Sequence, residues 1–291
     1  MSYKAPTGNE SKIPPHPWGV KTQMAQLMGY PFNMFCSGCG YGSIAQAINR
    51  VFIEENLQEE LYPFIINIGC YSSMPTVLPG RILMTLHGRG IAVATGIKMA
   101  NPRLKPISIH GDGDLLSIGT NHFIHGARRN VDMIVILLNN NIYGMTGGQL
   151  APTTPMGHNT TTTPYGYGEE PIDAVQLAKA AGATYIARWT TSTMRGFMKS
   201  LKTAIDHKGF SFIEVISQCP TQYGHKNNFP SPIELFNNIK ANSVRINQAE
   251  NMTPEELHGK YIIGDHLEVD RPTLYDRKLG SIQNAKKTKE T

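Results

Sequence analysis

The chain has 291 residues, 40% hydrophobic and 17% charged, with a net charge of +5. That length suits one large domain or two small ones with a sizeable core, and the mild basicity, part of it in the terminal KKTKET, is only a weak pull toward acidic partners. No Lys/Arg stripe interleaved with aromatics, no run of about 18 apolar residues and no apolar core of a secretory signal in MSYKAPTGNESKIPPHPWGV can be found, which speaks against nucleic acid, a membrane span and export, and leads us to expect a cytoplasmic protein.

Residues 1–30 read as an irregular, Pro-rich lead-in. GSIAQAINRVFIEE (42–55) has apolar residues at 44, 47, 48, 51 and 52, a helical spacing, with Ser43 as its expected N-cap. YPFIINIG (62–69) is a short β-type run ending at a glycine, and GIAVATGIKMA (90–100) reads as a small-residue helix. LKPISIHGDGD (104–114) is a buried strand breaking into a Gly-rich turn, NHFIHGARR (121–129) is helical, and VDMIVILLNNN (131–141) is the most strand-like segment. A long loop rich in Gly, Thr and Pro spans 142–168, as functional loops often do. Helix (171–182), strand (184–188), helix (192–206) and strand (211–218) follow. Alternating strands and helices predict an α/β fold with a doubly wound, mostly parallel sheet. The domain plan is a lead at 1–30, a main domain at 31–225, and a polar C-terminal extension at 226–291, expected to contact another subunit and to end in a disordered tail.

Ligands in such sheets bind beyond the carboxyl ends of the strands. Cys70, GDGD, NNN and Cys219 all fall at such ends. Asp112 in GDG and Asn140 are separated by one helix and one strand, so both return to the same edge. A hard cation such as Mg²⁺ takes oxygen ligands and shares them with phosphates. Asp112 offers a carboxylate, Asn140 an amide oxygen and Ile142 a backbone carbonyl. The GMTGGQ segment (144–149) can turn backbone N–H groups and the Thr146 hydroxyl toward phosphate oxygens.

The chain has four cysteines, Cys36, Cys39, Cys70 and Cys219. In a reducing compartment they read as metal ligands rather than disulfides. A structural Zn²⁺ site, an iron–sulfur cluster and a redox C-x-x-C are the three readings their residue types permit.

IGC (68–70), HGR (87–89), GDGD, NN and YGMTGGQ, in that order, resemble the thiamine-diphosphate-binding β subunit of the 2-oxoacid:ferredoxin oxidoreductases from about residue 30 to 225. The resemblance implies Mg²⁺ on Asp112, Asn140 and the Ile142 carbonyl. It implies a diphosphate lined by Gly113, Asp114, Gly144, Met145 and Thr146, with Gly69, Cys70, Tyr71 and Ser72 against the cofactor. His87 is then a candidate catalytic residue, with a polar residue at a helix N-terminus as the plainer reading. The four cysteines become the ligands of a [4Fe-4S] cluster. His110, His122 and His125 are expected to be structural.

The activity implied is oxidative decarboxylation of a 2-oxoacid to acyl-CoA and carbon dioxide. The cluster passes electrons to ferredoxin, and the same steps reversed carboxylate an acyl-CoA. An α subunit is implied as partner, in an αβ heterodimer or its dimer, because the chain has no length for a second cofactor domain. GTNHFIHGARRNVD looks more like the 2-oxoglutarate-using branch, with pyruvate as the alternative substrate. A non-redox thiamine-dependent decarboxylase or synthase subunit is the alternative activity, and zinc or no metal at the four cysteines would favour it.

Overall fold

The structure, a computed structural model, describes residues 35–290, with side chains as far as 283. The expected lead at 1–30 lies outside them. Eight strands form one sheet in the order β2-β1-β3-β4-β8-β7-β10-β9. They are β1 (Phe64–Ile66), β2 (Ile82–Met84), β3 (Ile107–Gly111), β4 (Met133–Asn139), β7 (Tyr185–Thr190), β8 (Phe210–Ile216), β9 (Ser243–Arg245) and β10 (Tyr261–Glu268). A small hairpin, β5 (Ile142–Tyr143) and β6 (Gln149–Leu150), stands apart. The first six strands of the sheet run parallel, and β10 pairs antiparallel with β7, so the doubly wound, mostly parallel α/β sheet expected from the sequence is present.

Burial on both faces explains why β4 reads as a continuous apolar run. Ile134, Ile136 and Leu138 point into a core closed by α1 (Tyr41–Glu54) and α5 (Met194–Asp206). Met133, Val135 and Leu137 point into a second core closed by α2 (Gly90–Ala100), α3 (Thr120–Arg129) and α4 (Ala174–Ala181). The apolar positions expected on α1 are all buried. That helix starts at Tyr41 after Gly40, so Ser43 lies inside it and is not its cap.

Within the expected extension at 226–291, the described residues 226–290 are more regular than their polarity suggested. They supply α6 (Pro232–Ala241), β9, β10 and the helix α7 (Leu274–Glu290), and β10 joins them to the main sheet. β10 escaped the sequence reading because Asp265 and Glu268 interrupt its apolar alternation. Two carboxyl ends carry π-turns, Asp114–Ile118 after β3 and Pro220–Gly224 after β8. Such turns cluster at functional sites.

At the opposite edge, the fully buried Asn130 caps α3 in a left-handed conformation, φ 49°. Its Oδ1 accepts from Thr184 Oγ1 at 2.9 Å and from the Phe210 N–H at 2.8 Å, and its Nδ2 donates to the Arg271 carbonyl at 2.8 Å. One side chain thus ties the starts of β7 and β8 to the approach of α7. Asn130→Ala strands these groups and forces alanine into the left-handed region, so urea unfolding should show a loss of about 3 kcal/mol. Asn130→Gly should recover only the backbone part, about 1 kcal/mol.

Candidate active site

Gly111 at the end of β3 pairs with Leu138 near the end of β4, which brings Asp112 and Asn140 to one edge. Asp112 is buried. Its carboxylate accepts from Thr153 Oγ1 at 2.8 Å and from the Gly113 N–H at 2.9 Å. Burial pushes the carboxyl up to about 6, against the pull of these bonds and of the Asn141 and Ile142 N–H groups. A bound cation acts in the opposite sense and favours the carboxylate. Asn140 and Ile142 are buried beside it, and the Ile142 N–H donates to Asn140 Oδ1 at 3.3 Å. The donor set is all oxygen, as a hard divalent cation requires.

A cleft opens in front of these groups, lined by Gly69, Cys70, Tyr71, His87, Asp112, Gly113, Asp114, Asn140, Ile142, Gly144, Met145 and Thr146. Of the residues expected against the cofactor and its diphosphate, Ser72 alone is not in the lining. Its hydroxyl donates to the Asn67 carbonyl at 2.9 Å and accepts from the Gly69 N–H at 3.0 Å, which staples the loop carrying Cys70. The Thr146 hydroxyl donates to Gln149 Oε1 at 2.7 Å and closes the 144–149 turn. Tyr41 and Tyr143 also line the cleft, and the sequence reading gave them no role. Tyr143 lies so close over Gly113 that a Cβ there would sit 2.2 Å from the ring, and its hydroxyl donates to the Gly113 carbonyl at 2.7 Å. Its place inside YGMTGGQ was the available signal, whereas nothing marked Thr153 in its loop.

Asp114 is turned to two histidines. Its Oδ2 is 2.5 Å from His110 Nδ1, and its Oδ1 accepts from the Gly88 N–H at 2.7 Å. His87 Nδ1 lies 2.7 Å from the same Oδ1, without the alignment of a hydrogen bond. His110 is fully buried and its Nε2 is 2.8 Å from Ser108 Oγ, the structural role expected of it. His87 reaches the cleft from the loop ahead of α2.

The thiols converge behind the cleft. The Cys36–Cys39 turn is closed by the Cys39 N–H on the Cys36 carbonyl, 3.0 Å, and Gly38 packs so tightly on Pro232 that a Cβ would lie 2.3 Å away. Gly40 N–H bonds to the Gln218 carbonyl, which sets this turn beside Cys219. A Cβ on Gly144 would be 3.4 Å from both Cys70 Sγ and Cys219 Sγ, and 3.7 Å from Asn140 Nδ2. Burial pushes the Cys39 thiol up to about 12 and the Cys70 thiol up to about 11. Among the described residues no three His, Cys, Asp or Glu side chains converge on a single ion.

The chain is similar to known proteins along most of its length. Residues 67–215 match the family of thiamine pyrophosphate enzymes, C-terminal TPP binding domain. The chain is 47% identical over 254 residues to the 2-oxoglutarate synthase subunit KorB of Methanocaldococcus jannaschii, covering 87% of this chain and 94% of that protein. It is 45% identical to the subunit of the same name from Methanothermobacter marburgensis, covering 86% and 88%. The solved 2-oxoglutarate:ferredoxin oxidoreductase from Magnetococcus marinus, with 2-oxoglutarate, coenzyme A and succinyl-CoA bound, superposes with a TM-score of 0.76 at 33% identity over 87% of this chain and 86% of that one. No helix among the described residues is long and apolar enough to cross a membrane.

The contact between Gly113 and Tyr143 gives a direct test. Gly113→Ala has to displace the ring into the cleft, and overpacking of this kind costs enough to weaken thiamine diphosphate binding by about tenfold or more in a calorimetric titration with Mg²⁺. The same overpacking should lower the variant's thermal unfolding by about 2 °C or more.

Proposed function

The chain belongs to the β-subunit family of the 2-oxoacid:ferredoxin oxidoreductases, on the 2-oxoglutarate branch, and from that premise we propose that it holds the diphosphate end of thiamine diphosphate and a [4Fe-4S] cluster in the enzyme that oxidatively decarboxylates 2-oxoglutarate. The products are succinyl-CoA and carbon dioxide, and ferredoxin receives the electrons. The observation that carries this reading is the space at Gly144, which borders Cys70, Cys219 and Asn140 at once.

The residue types suit both groups. Asp112, Asn140 and the Ile142 carbonyl would hold Mg²⁺, and the 144–146 turn would line the diphosphate. Cys219 is buried, Cys39 and Cys70 are half-buried with Cys70 in the cleft wall, and Cys36 is exposed. Thiamine diphosphate supplies an electron sink for the departing carboxylate, and a thiolate-bound cluster accepts single electrons.

The protein's own part is to position and to exclude water. His87 lines the cleft with Nδ1 2.7 Å from Asp114 Oδ1, the histidine placed to move a proton in it. Tyr71 and Tyr143 pack their rings on the glycines of the cleft and keep its floor dry. Cys36, at the exposed corner, marks the side on which ferredoxin collects electrons. The described residues contain one diphosphate-type fold, so the α subunit supplies the grip on the rest of the cofactor.

Purification with the partner subunit in the absence of oxygen tests the reading. About four irons and about four acid-labile sulfides per β chain are expected. A reduced-cluster EPR signal should appear on adding 2-oxoglutarate and coenzyme A, and pyruvate should give a weaker one. Cys219→Ser should lose most of the iron. Zinc without iron, or a full cluster in the Cys219→Ser protein, would contradict it.

A further inference from the structure

Behind the cation cradle lies a row of buried polar groups that this chemistry leaves unused. Glu214 on β8 is 1% exposed and Arg188 on β7 is 8% exposed. Arg188 Nε donates to Glu214 Oε2 at 2.6 Å, and Arg188 Nη2 donates to Asp173 Oδ1 at 2.6 Å. Burying such a pair is expensive and gives a fold little net stability, so its position asks for another reason.

The reason lies in the other carboxylate oxygen. Glu214 Oε1 accepts from Asn139 Nδ2 at 2.8 Å. An ionised carboxylate only accepts, so it decides which end of the Asn139 amide faces it. Oδ1 is thereby turned the other way, where it accepts the Asn141 N–H at 3.1 Å. That bond closes a turn over Asn140 in which Asn141 is left-handed, φ 62°. Asn141 is held from two further sides: Nδ2 donates to the Tyr261 hydroxyl at 3.2 Å, and its carbonyl accepts from Thr154 Oγ1 at 2.7 Å. The neighbouring Thr153 reaches Asp112 itself.

We propose that Glu214, oriented by Arg188, is a positioning residue for the cation site: it fixes the Asn139 amide and through it the turn that presents Asn140 and Ile142 to Mg²⁺. The proposal rests on the cation site described above. A wholly structural triad would instead only tie β7 and β8 to the start of α4, where Asp173 accepts from the Val175 and Gln176 N–H groups.

The two roles separate in a Mg²⁺ titration of thiamine diphosphate binding, followed by calorimetry on the two-subunit enzyme. Glu214→Gln should raise the Mg²⁺ concentration for half-saturation by about tenfold or more, the usual effect of losing an outer-sphere partner, with cofactor binding restored at saturating Mg²⁺. Asp173→Asn keeps a good helix cap and should leave the half-saturation within about twofold of its starting value. An unchanged value for Glu214→Gln, or an equal rise for Asp173→Asn, overturns the proposal. Asp112→Asn sets the scale. If it responds while Glu214→Gln does not, the positioning role alone fails; if it too is silent, the cation site is wrong and the proposal falls with it. Should Glu214→Gln not fold, Asn139→Ser cuts the same link from the other side, with the same expected rise and the same overturning result.

Discussion

Every residue of β4 from Met133 to Asn139 is buried, alternately in one core and the other, so no unpaired polar side chain is tolerated along its length. Its first polar groups come where the strand runs out, at Asn139, Asn140 and Asn141. β1, β3, β4 and β8 are adjacent and parallel, so their carboxyl ends lie side by side. Cys70, Asp112, Asn140 and Cys219 follow those four ends. The burial that makes the sheet stable also confines the chemistry to one edge.

At that edge the chain returns to the site with close backbone approaches. The π-turn at Asp114–Ile118 sets Asp114 between His87 and His110, and the one at Pro220–Gly224 follows Cys219 directly. Gly144 stands between the cation donors and two thiols, where even one methyl group would touch all three. A short distance between the two halves of the site is therefore a property of the backbone and does not wait on side-chain rearrangement.

Much of this was legible in the sequence. The apolar runs of β3 and β4 and the helical spacing of α1 follow from burial on both faces, and GDG and NN stand out because glycine and asparagine are what a tight strand-to-turn edge with oxygen donors requires. Other parts were hidden for physical reasons. β10 is a half-exposed strand whose polar residues break the alternation, and β2 is only three residues long. The Glu214–Asn139 link is a contact between strands 75 residues apart, which no local pattern encodes. Ser72 carried the right neighbours but spends its hydroxyl on its own loop.

If the cation and the cluster share this one edge, thiamine diphosphate held by the cation would lie close enough to pass electrons directly to the cluster. Mn²⁺ in place of Mg²⁺ in the two-subunit enzyme gives a paramagnetic reporter at Asp112 and Asn140, and the reduced cluster gives another. Pulsed EPR should show strong dipolar coupling between the two, lost when Cys219→Ser removes the cluster. Mn²⁺ bound with thiamine diphosphate but relaxing independently of a fully reduced cluster would contradict the account.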